Sequence, residues 1–282
     1  MVKIDSLYLH FPYCLRLCNY CDFYKSPFDQ HTSLSEFHQY LSNSRTIHQE
    51  LEEEYKLFWA PMETLYIGGG SPSLWKEEGA HYLPQFLKTW NISLTPHCEF
   101  TIEANPGDWQ KEDLARWKSL GVNRLSVGVQ ALENSILLAL QRNHTAQQAL
   151  NFLEIVRDSQ IDFSVDLMLG LPLSEKVGRR AINELEQLLK FRPTHLSVYI
   201  LKAPDHYKLK KDLPDDDWAS KEYLDCCQLL EERGYHHYEV SNFALPGKES
   251  KHNLRYWKSQ VVAALGPSAV GFFPTNDNEG IR

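Results

Sequence analysis

No stretch of this sequence is apolar for long enough to cross a bilayer, and near the start "MVKIDSLYLHF" is interrupted by Asp5 and His10, so neither a membrane span nor a secretory leader is expected. Basic residues are in deficit. Lys and Arg number 29 against 37 Asp and Glu, a formal net charge of -8, whereas broad binding to nucleic-acid phosphates would require the opposite balance. There is no internal repeat and no low-complexity tract, and the glycine run "GGGSP" lacks the Lys-Ser/Thr ending of a phosphate-cradling loop. A fourth clustered cysteine is also missing. Cys14, Cys18 and Cys21 crowd one loop, while Cys98, Cys226 and Cys227 lie far off without metal-site spacing.

With 43% hydrophobic and 23% charged residues, 282 residues can bury a real core in one large domain or two ordinary ones. A cytoplasmic chain is expected. In that reducing compartment clustered cysteines hold metal or do redox work more often than they form disulfides. The spacing C-x3-C-x2-C does not suit a structural zinc site, which closes with four ligands in separated pairs. Closely spaced thiolates suit an iron–sulfur cluster, and three of them would leave one iron of a four-iron cluster open for a ligand that must react. Zinc with a borrowed His, or three plain core cysteines, are the alternatives.

Apolar, β-branched runs alternate with helical segments along the chain. "SLYLHF" precedes a helix through Glu36 to Phe58, "TLYIGGG" one near Trp75 to Trp90, and "EFTIEANPG" one from about Asp113. "VNRLSVGVQ" leads to helices at 134–140 and 146–158, "FSVDLMLGLP" to one near Glu184 to Phe191, and "HLSVYIL" closes the series. Six such units predict a parallel sheet with helical crossovers, open or curled into a barrel, whose ligand-binding loops follow the strands. The cysteine loop follows the first strand. Past Leu201, Asp215 or Asp216 is expected to cap a helix, with the acidic run serving the helix dipole rather than a metal. A strand then carries His236 and His237, one buried and one exposed.

"YLHFPYCLRLCNYCDF" resembles the cluster loop of radical S-adenosylmethionine proteins, in the coproporphyrinogen-dehydrogenase-like branch. The resemblance implies an α/β fold, a partial (β/α)6 barrel over residues 1–240 with a short family-specific segment over 241–282. It implies a [4Fe-4S] cluster on Cys14, Cys18 and Cys21, whose free iron is chelated by S-adenosylmethionine, and a radical generated by cleaving that cofactor. Whether the cofactor is cleaved here stays open. "GGGSP" is similar to the family's glycine motif, which assigns Gly68, Gly69, Gly70 and Ser71 to the methionine end. Glu103, Gln130, Arg142 and Asp166 match positions that contact the ribose or the methionine carboxylate, and Tyr8 matches a tyrosine near the cofactor.

Two branches are separated by one residue. Coproporphyrinogen III dehydrogenases carry a further Cys two positions after the third, and here that position is Phe23, as in HemW-type heme chaperones. "HNLRYW" resembles the heme-associated motif of those chaperones, with His252 as a candidate axial ligand and Tyr256 and Trp257 as flat apolar surface for a porphyrin. The resemblance implies a chaperone carrying heme as cargo to acceptor proteins, with an electron donor such as a flavodoxin and a possible homodimer. The alternative is a dehydrogenase-like enzyme that decarboxylates a porphyrinogen. Two departures stand out: Val270 occupies a position where the family commonly has His, and the family continues into a further C-terminal domain, so the chain reads as a shortened paralogue or a truncated one.

Overall fold

The computed structural model describes residues 1–205, 207–274 and 280–281. The chain starts in a ten-residue strand, β1 (Val2–Phe11), and the cysteine loop that follows is pinched at its base by β2 (Tyr13–Cys14) and β3 (Ser26–Pro27). Ser33 caps α1 (Leu34–Tyr55), accepting the amide of Glu36, and Lys56 at φ 52° ends it in a left-handed turn. The expected continuation of this helix to Phe58 is therefore wrong, because β4 (Leu57–Gly69) begins one residue past that turn.

The rhythm then repeats through α2 (Lys76–Thr89), β5 (Leu94–Ala104), α3 (Lys111–Ser119), β6 (Arg124–Gln130), α4 (Asn134–Ala139) and α5 (Ala146–Asp158). It continues with β7 (Asp162–Leu169), α6 (Ala181–Leu189), β8 (His195–Ile200) and α7 (Asp216–Glu232), whose cap is Asp215 accepting from the Trp218 amide. The tail supplies β9 (His236–His237), β10 (Asn242–Ala244), α8 (Lys251–Trp257), β11 (Ala263–Leu265) and the small pair β12 (Phe273–Pro274) and β13 (Gly280–Ile281).

Nine strands form one sheet in the order β11-β1-β4-β5-β6-β7-β8-β10-β9. Six consecutive parallel strands joined by helical crossovers are the α/β partial barrel that the sequence pattern predicts, and among the described residues no ladder joins β11 to β9. Residues after 240 join the same sheet at both ends, β10 antiparallel to β8 and β11 parallel to β1. His236 and His237 are both exposed, not one in and one out; a two-residue edge strand has no covered face to enforce alternation, and His237 stacks on Phe243 at 4.2 Å.

The two faces of the sheet differ. Leu7, Leu65, Ile102, Val127, Val165 and Val198 belong to one continuous buried core with helix residues such as Leu41, Phe86, Leu153 and Leu188. Alternate positions are polar and bond to one another across strands, as in Ser6 to Thr64, Tyr66 to Glu103, Ser126 to Asp166 and Ser164 to His195. The barrel interior is thus lined with hydrogen-bonding groups. That lining suits a polar ligand more than a packed aliphatic core.

Candidate cofactor site at the barrel mouth

The cysteine loop is fastened by main-chain bonds. Gly70 N–H donates to Phe11 O (2.7 Å) and Ser71 N–H to Tyr13 O (2.8 Å), while Ser26 N–H donates to Pro12 O and Phe28 N–H to Cys14 O, both at 2.8 Å. His10 adds a side-chain tie, its Nε2–H donating to Tyr24 O (3.0 Å) and its Nδ1 accepting from Tyr8 O–H (3.0 Å). Gly69 permits that tie. It sits at φ +117°, and a Cβ there would fall 2.6 Å from the His10 ring.

Cys14, Cys18 and Cys21 are all free thiols and all line one cavity of about 540 Å³ at the C-terminal ends of the strands. The same cavity is lined by Gly69, Gly70, Ser71, Glu103, Gln130, Arg142 and Asp166. Its volume is in the ordinary range for a cofactor pocket. Gly68 and Tyr8 lie behind the wall rather than on it: a Cβ at Gly68 would fall 2.8 Å from Glu103 Oε1, and Tyr8 is packed between His10 and Tyr66.

Charge in the cavity is held at some cost. Glu103 accepts from Tyr66 O–H (2.9 Å) and Gly69 N–H (3.0 Å), yet burial outweighs both and pushes its carboxyl up to about 7. Burial likewise pushes Asp166 up to about 6, opposed by the Ser197 and Ser126 hydroxyls. Arg142 donates through Nη2 to Asn105 Oδ1 (2.5 Å) and Gly128 O (2.8 Å), and its Nη1 lies 4.0 Å from Cys18 Sγ. Burial raises the Cys14 thiol to about 11, with Ser71 pulling the other way.

Several residues at the site escaped the sequence reading. Asn105 bridges Arg142 to Ser71 Oγ (2.8 Å), and it sits two positions after Glu103 in the same strand end, a local signal that could have been used. Tyr66 was equally findable, two residues before Gly68 and so on the same face of β4. Met168, two residues after Asp166 on β7, shares its face and lines the cavity, as does Tyr199 of β8, which only the sheet order brings there.

The "HNLRYW" residues lie elsewhere. His252 is 2% exposed and points into the barrel, its Nδ1 2.9 Å from Thr64 Oγ1 and 3.2 Å from Ser6 Oγ, while Nε2 meets no protein partner among the described residues. Tyr256 and Trp257 are 39% and 57% exposed; the Tyr256 ring meets the His252 ring edge-on, centroids 5.7 Å apart, and its O–H donates to Val270 O (2.9 Å). Sequence reading grouped the three around one porphyrin. In this conformation His252 Nε2 is buried while the Trp257 ring is exposed, so iron at Nε2 would require α8 to shift.

Residues 8–176 match the Radical SAM superfamily. The heme chaperone HemW of Lactococcus lactis is 32% identical over 284 residues, covering 96% of this chain and 70% of that protein, and HemW of Escherichia coli is 32% identical over 289 residues, covering 100% and 74%. The chain belongs to the HemW family of the radical SAM superfamily. The solved structure of coproporphyrinogen III oxidase (HemN) from Escherichia coli, a radical SAM enzyme, superposes with a TM-score of 0.77 over 96% of this chain and 65% of that one; at 20% identity this likeness speaks to the fold.

The residues at the mouth fit the group the superfamily is named for. Among the described residues no three His, Cys, Asp or Glu converge as a single ion requires. A four-iron cluster instead asks each thiolate to reach a different iron, and three free thiols on one loop lining one cavity can do so. Arg142 places a guanidinium beside Cys18, so positive charge stands next to the loop that would carry the cluster. Glu103 and Asp166 keep acceptor capacity for hydroxyl or ammonium donors.

Proposed function

We propose that this chain is an iron–sulfur heme chaperone that binds S-adenosylmethionine at the barrel mouth and passes heme to acceptor proteins. The observation that carries the reading is that the three loop cysteines share one cavity with Glu103, Arg142 and Asp166, in a chain of the HemW family. Cys14, Cys18 and Cys21 would hold the cluster, Gly69, Gly70 and Ser71 would face the methionine end, Arg142 would pair with its carboxylate, and Glu103, Gln130 and Asp166 would accept from ribose and amino groups. When bound, the two groups supply one-electron chemistry, and the protein's part is to orient the cofactor and keep water out.

Phe23 favours the chaperone over a porphyrinogen-decarboxylating enzyme, since it stands, 72% exposed at the cavity rim, where the dehydrogenase branch carries a further thiol. Leu15, Leu17 and Phe23 of the cysteine loop are exposed apolar groups that an electron donor or a heme acceptor could meet. Three thiols left free of disulfides accord with a cytoplasmic setting. Heme is assigned to the exposed Tyr256–Trp257 surface of α8, with His252 Nε2 as the candidate nitrogen on a shift of that helix.

The test is anaerobic reconstitution with iron and sulfide, followed by heme titration and by EPR of the reduced protein with and without S-adenosylmethionine. A cluster signal that changes on adding the cofactor, together with stoichiometric heme binding and heme transfer to an apo-acceptor, is expected. Carbon dioxide release from coproporphyrinogen III, or absence of heme binding, would overturn the chaperone reading.

A further inference from the structure

The helix that carries "HNLRYW" closes the N-terminal end of the barrel. The amides of Lys251 and His252 donate to the two carboxylate oxygens of Glu99 on β5 (3.0 and 2.9 Å), and Arg255 pairs with Asp5 on β1 at 2.6 Å. The approach to α8 is tied as firmly: Lys248 O accepts from Arg124 of β6 (3.0 Å), and Ser250 N–H donates to Tyr238 O–H (3.3 Å), which also meets His195 Nε2 of β8 (2.8 Å). From this floor the His252 imidazole rises between Ser6 and Thr64 and lies against the Tyr66 ring, centroids 5.0 Å apart and planes 26° apart.

Tyr66 is the next link. Its O–H donates to Glu103 Oε1, and the other oxygen of Glu103 accepts from Gly69 N–H inside the cofactor cavity. Gly68 leaves no slack, because Tyr66 Cε1 and Glu103 Oε1 both already stand 2.8 Å from where its Cβ would be. A ring held on one side by Gly68 and on the other by His252 has a single place to put its hydroxyl.

We infer that His252 is a positioning residue for the cofactor cavity: by filling the space beneath Tyr66 it fixes the hydrogen bond that aims the Glu103 carboxylate at the ligand. The inference rests on the reading of this cavity as the S-adenosylmethionine site, and it gives the "HNLRYW" motif a task at the mouth separate from any contact with heme. The imidazole does this as a neutral ring, which burial and the charge of Arg255 enforce by holding its pKa down at about 3.

The test measures S-adenosylmethionine affinity of the reconstituted protein against pH for wild type, His252→Gln, Thr64→Val and Tyr66→Phe, with the EPR change on cofactor binding as readout. Glu103 is faced by Tyr66 of β4, Tyr8 of β1, Asp166 of β7, Tyr199 of β8 and the Gly69 amide, and of these the tyrosine hydroxyl of Tyr66 lowers its pKa most. Losing or loosening that bond should weaken affinity about tenfold and move the midpoint of its pH profile upward. His252→Gln should match Tyr66→Phe, the double variant should add little, and Thr64→Val, which keeps the imidazole's space filled, should shift the midpoint less. Wild-type affinity and midpoint in folded His252→Gln would overturn the inference, as would additive losses in the double variant; should His252→Gln not fold, wild-type affinity and an unshifted midpoint in Tyr66→Phe do so. A wild-type protein that fails to bind S-adenosylmethionine would instead overturn the reading of the cavity. A Soret band lost on His252→Gln at unchanged cofactor affinity would return the residue to heme.

Discussion

Two glutamates four residues apart on the same face of β5 end at opposite ends of the barrel. Glu99, at the floor, has both oxygens satisfied by the first amides of α8 and sits 9% exposed beneath them. Glu103, at the mouth, has one O–H and one N–H and a cavity in front of it, and its carboxyl is pushed up to about 7. The floor spends its polar groups on holding the chain together. The mouth leaves acceptor capacity in reserve, which is what a binding site requires and a closed core does not.

The comparison can be broken most severely through the cysteines. Ala at Cys14, Cys18 or Cys21 should abolish iron incorporation and the cofactor-dependent EPR change, while Cys98→Ala and Cys226→Ala, whose thiols are 5% and 0% exposed in the core, should retain iron and lose some stability. Iron and sulfide analysis after reconstitution decides it. Equal iron loss at all five positions would mean that the mouth has no privileged set of thiols.

Next in size is the exchange of roles between the two glutamates. Glu99→Ala leaves two helix N-terminal amides without their acceptor and should cost about 2–3 kcal/mol in urea unfolding, with α8 undocked. Glu103→Gln should leave that midpoint unchanged or higher while weakening S-adenosylmethionine binding about tenfold. Stability loss at Glu103 and affinity loss at Glu99 would invert the assignment.

Acidity sharpens the same contrast. Because the folded-state carboxyl of Glu103 titrates near 7, above its ordinary 4.5, the folded protein holds more protons than the unfolded chain between those values. Its contribution to stability is therefore fully present below about pH 4.5 and declines as pH rises toward 7, while affinity for a ligand that donates hydrogen bonds rises over the same window. Urea midpoints from pH 5 to 8 should fall less steeply in Glu103→Gln than in wild type. Identical slopes would remove Glu103 as the titrating group.

What the sequence disclosed follows from range of interaction. The cysteine loop, the strand ends at Glu103, Gln130 and Asp166, and the alternation of strands and helices are local patterns, and the structure gathers those residues at one mouth because parallel strands deliver their C-terminal ends together. The helix end at Lys56 was missed because a left-handed φ in a charged residue leaves no compositional trace. Most hidden was the position of α8. "HNLRYW" reads as a heme-associated motif with His252 offered as axial ligand, but the partners of His252 are Ser6 and Thr64, 246 and 188 residues away in sequence, and no local pattern encodes that docking.

The smallest expected effect concerns the edge of the floor. Asp5 receives both Arg255 (2.6 Å) and Lys3 (2.9 Å), and the Arg255 and Asp5 side chains are 17% and 12% exposed, neither fully buried nor freely solvated. Arg255→Ala should cost about 1 kcal/mol, since Lys3 remains to pair the carboxylate and water reaches both partners. Because α8 would stay held by Glu99, S-adenosylmethionine affinity should not change. A double-mutant cycle between Asp5→Asn and Arg255→Ala in urea measures the coupling, and a coupling well above 1 kcal/mol would mean that the floor depends on this ion pair as much as on the capped helix.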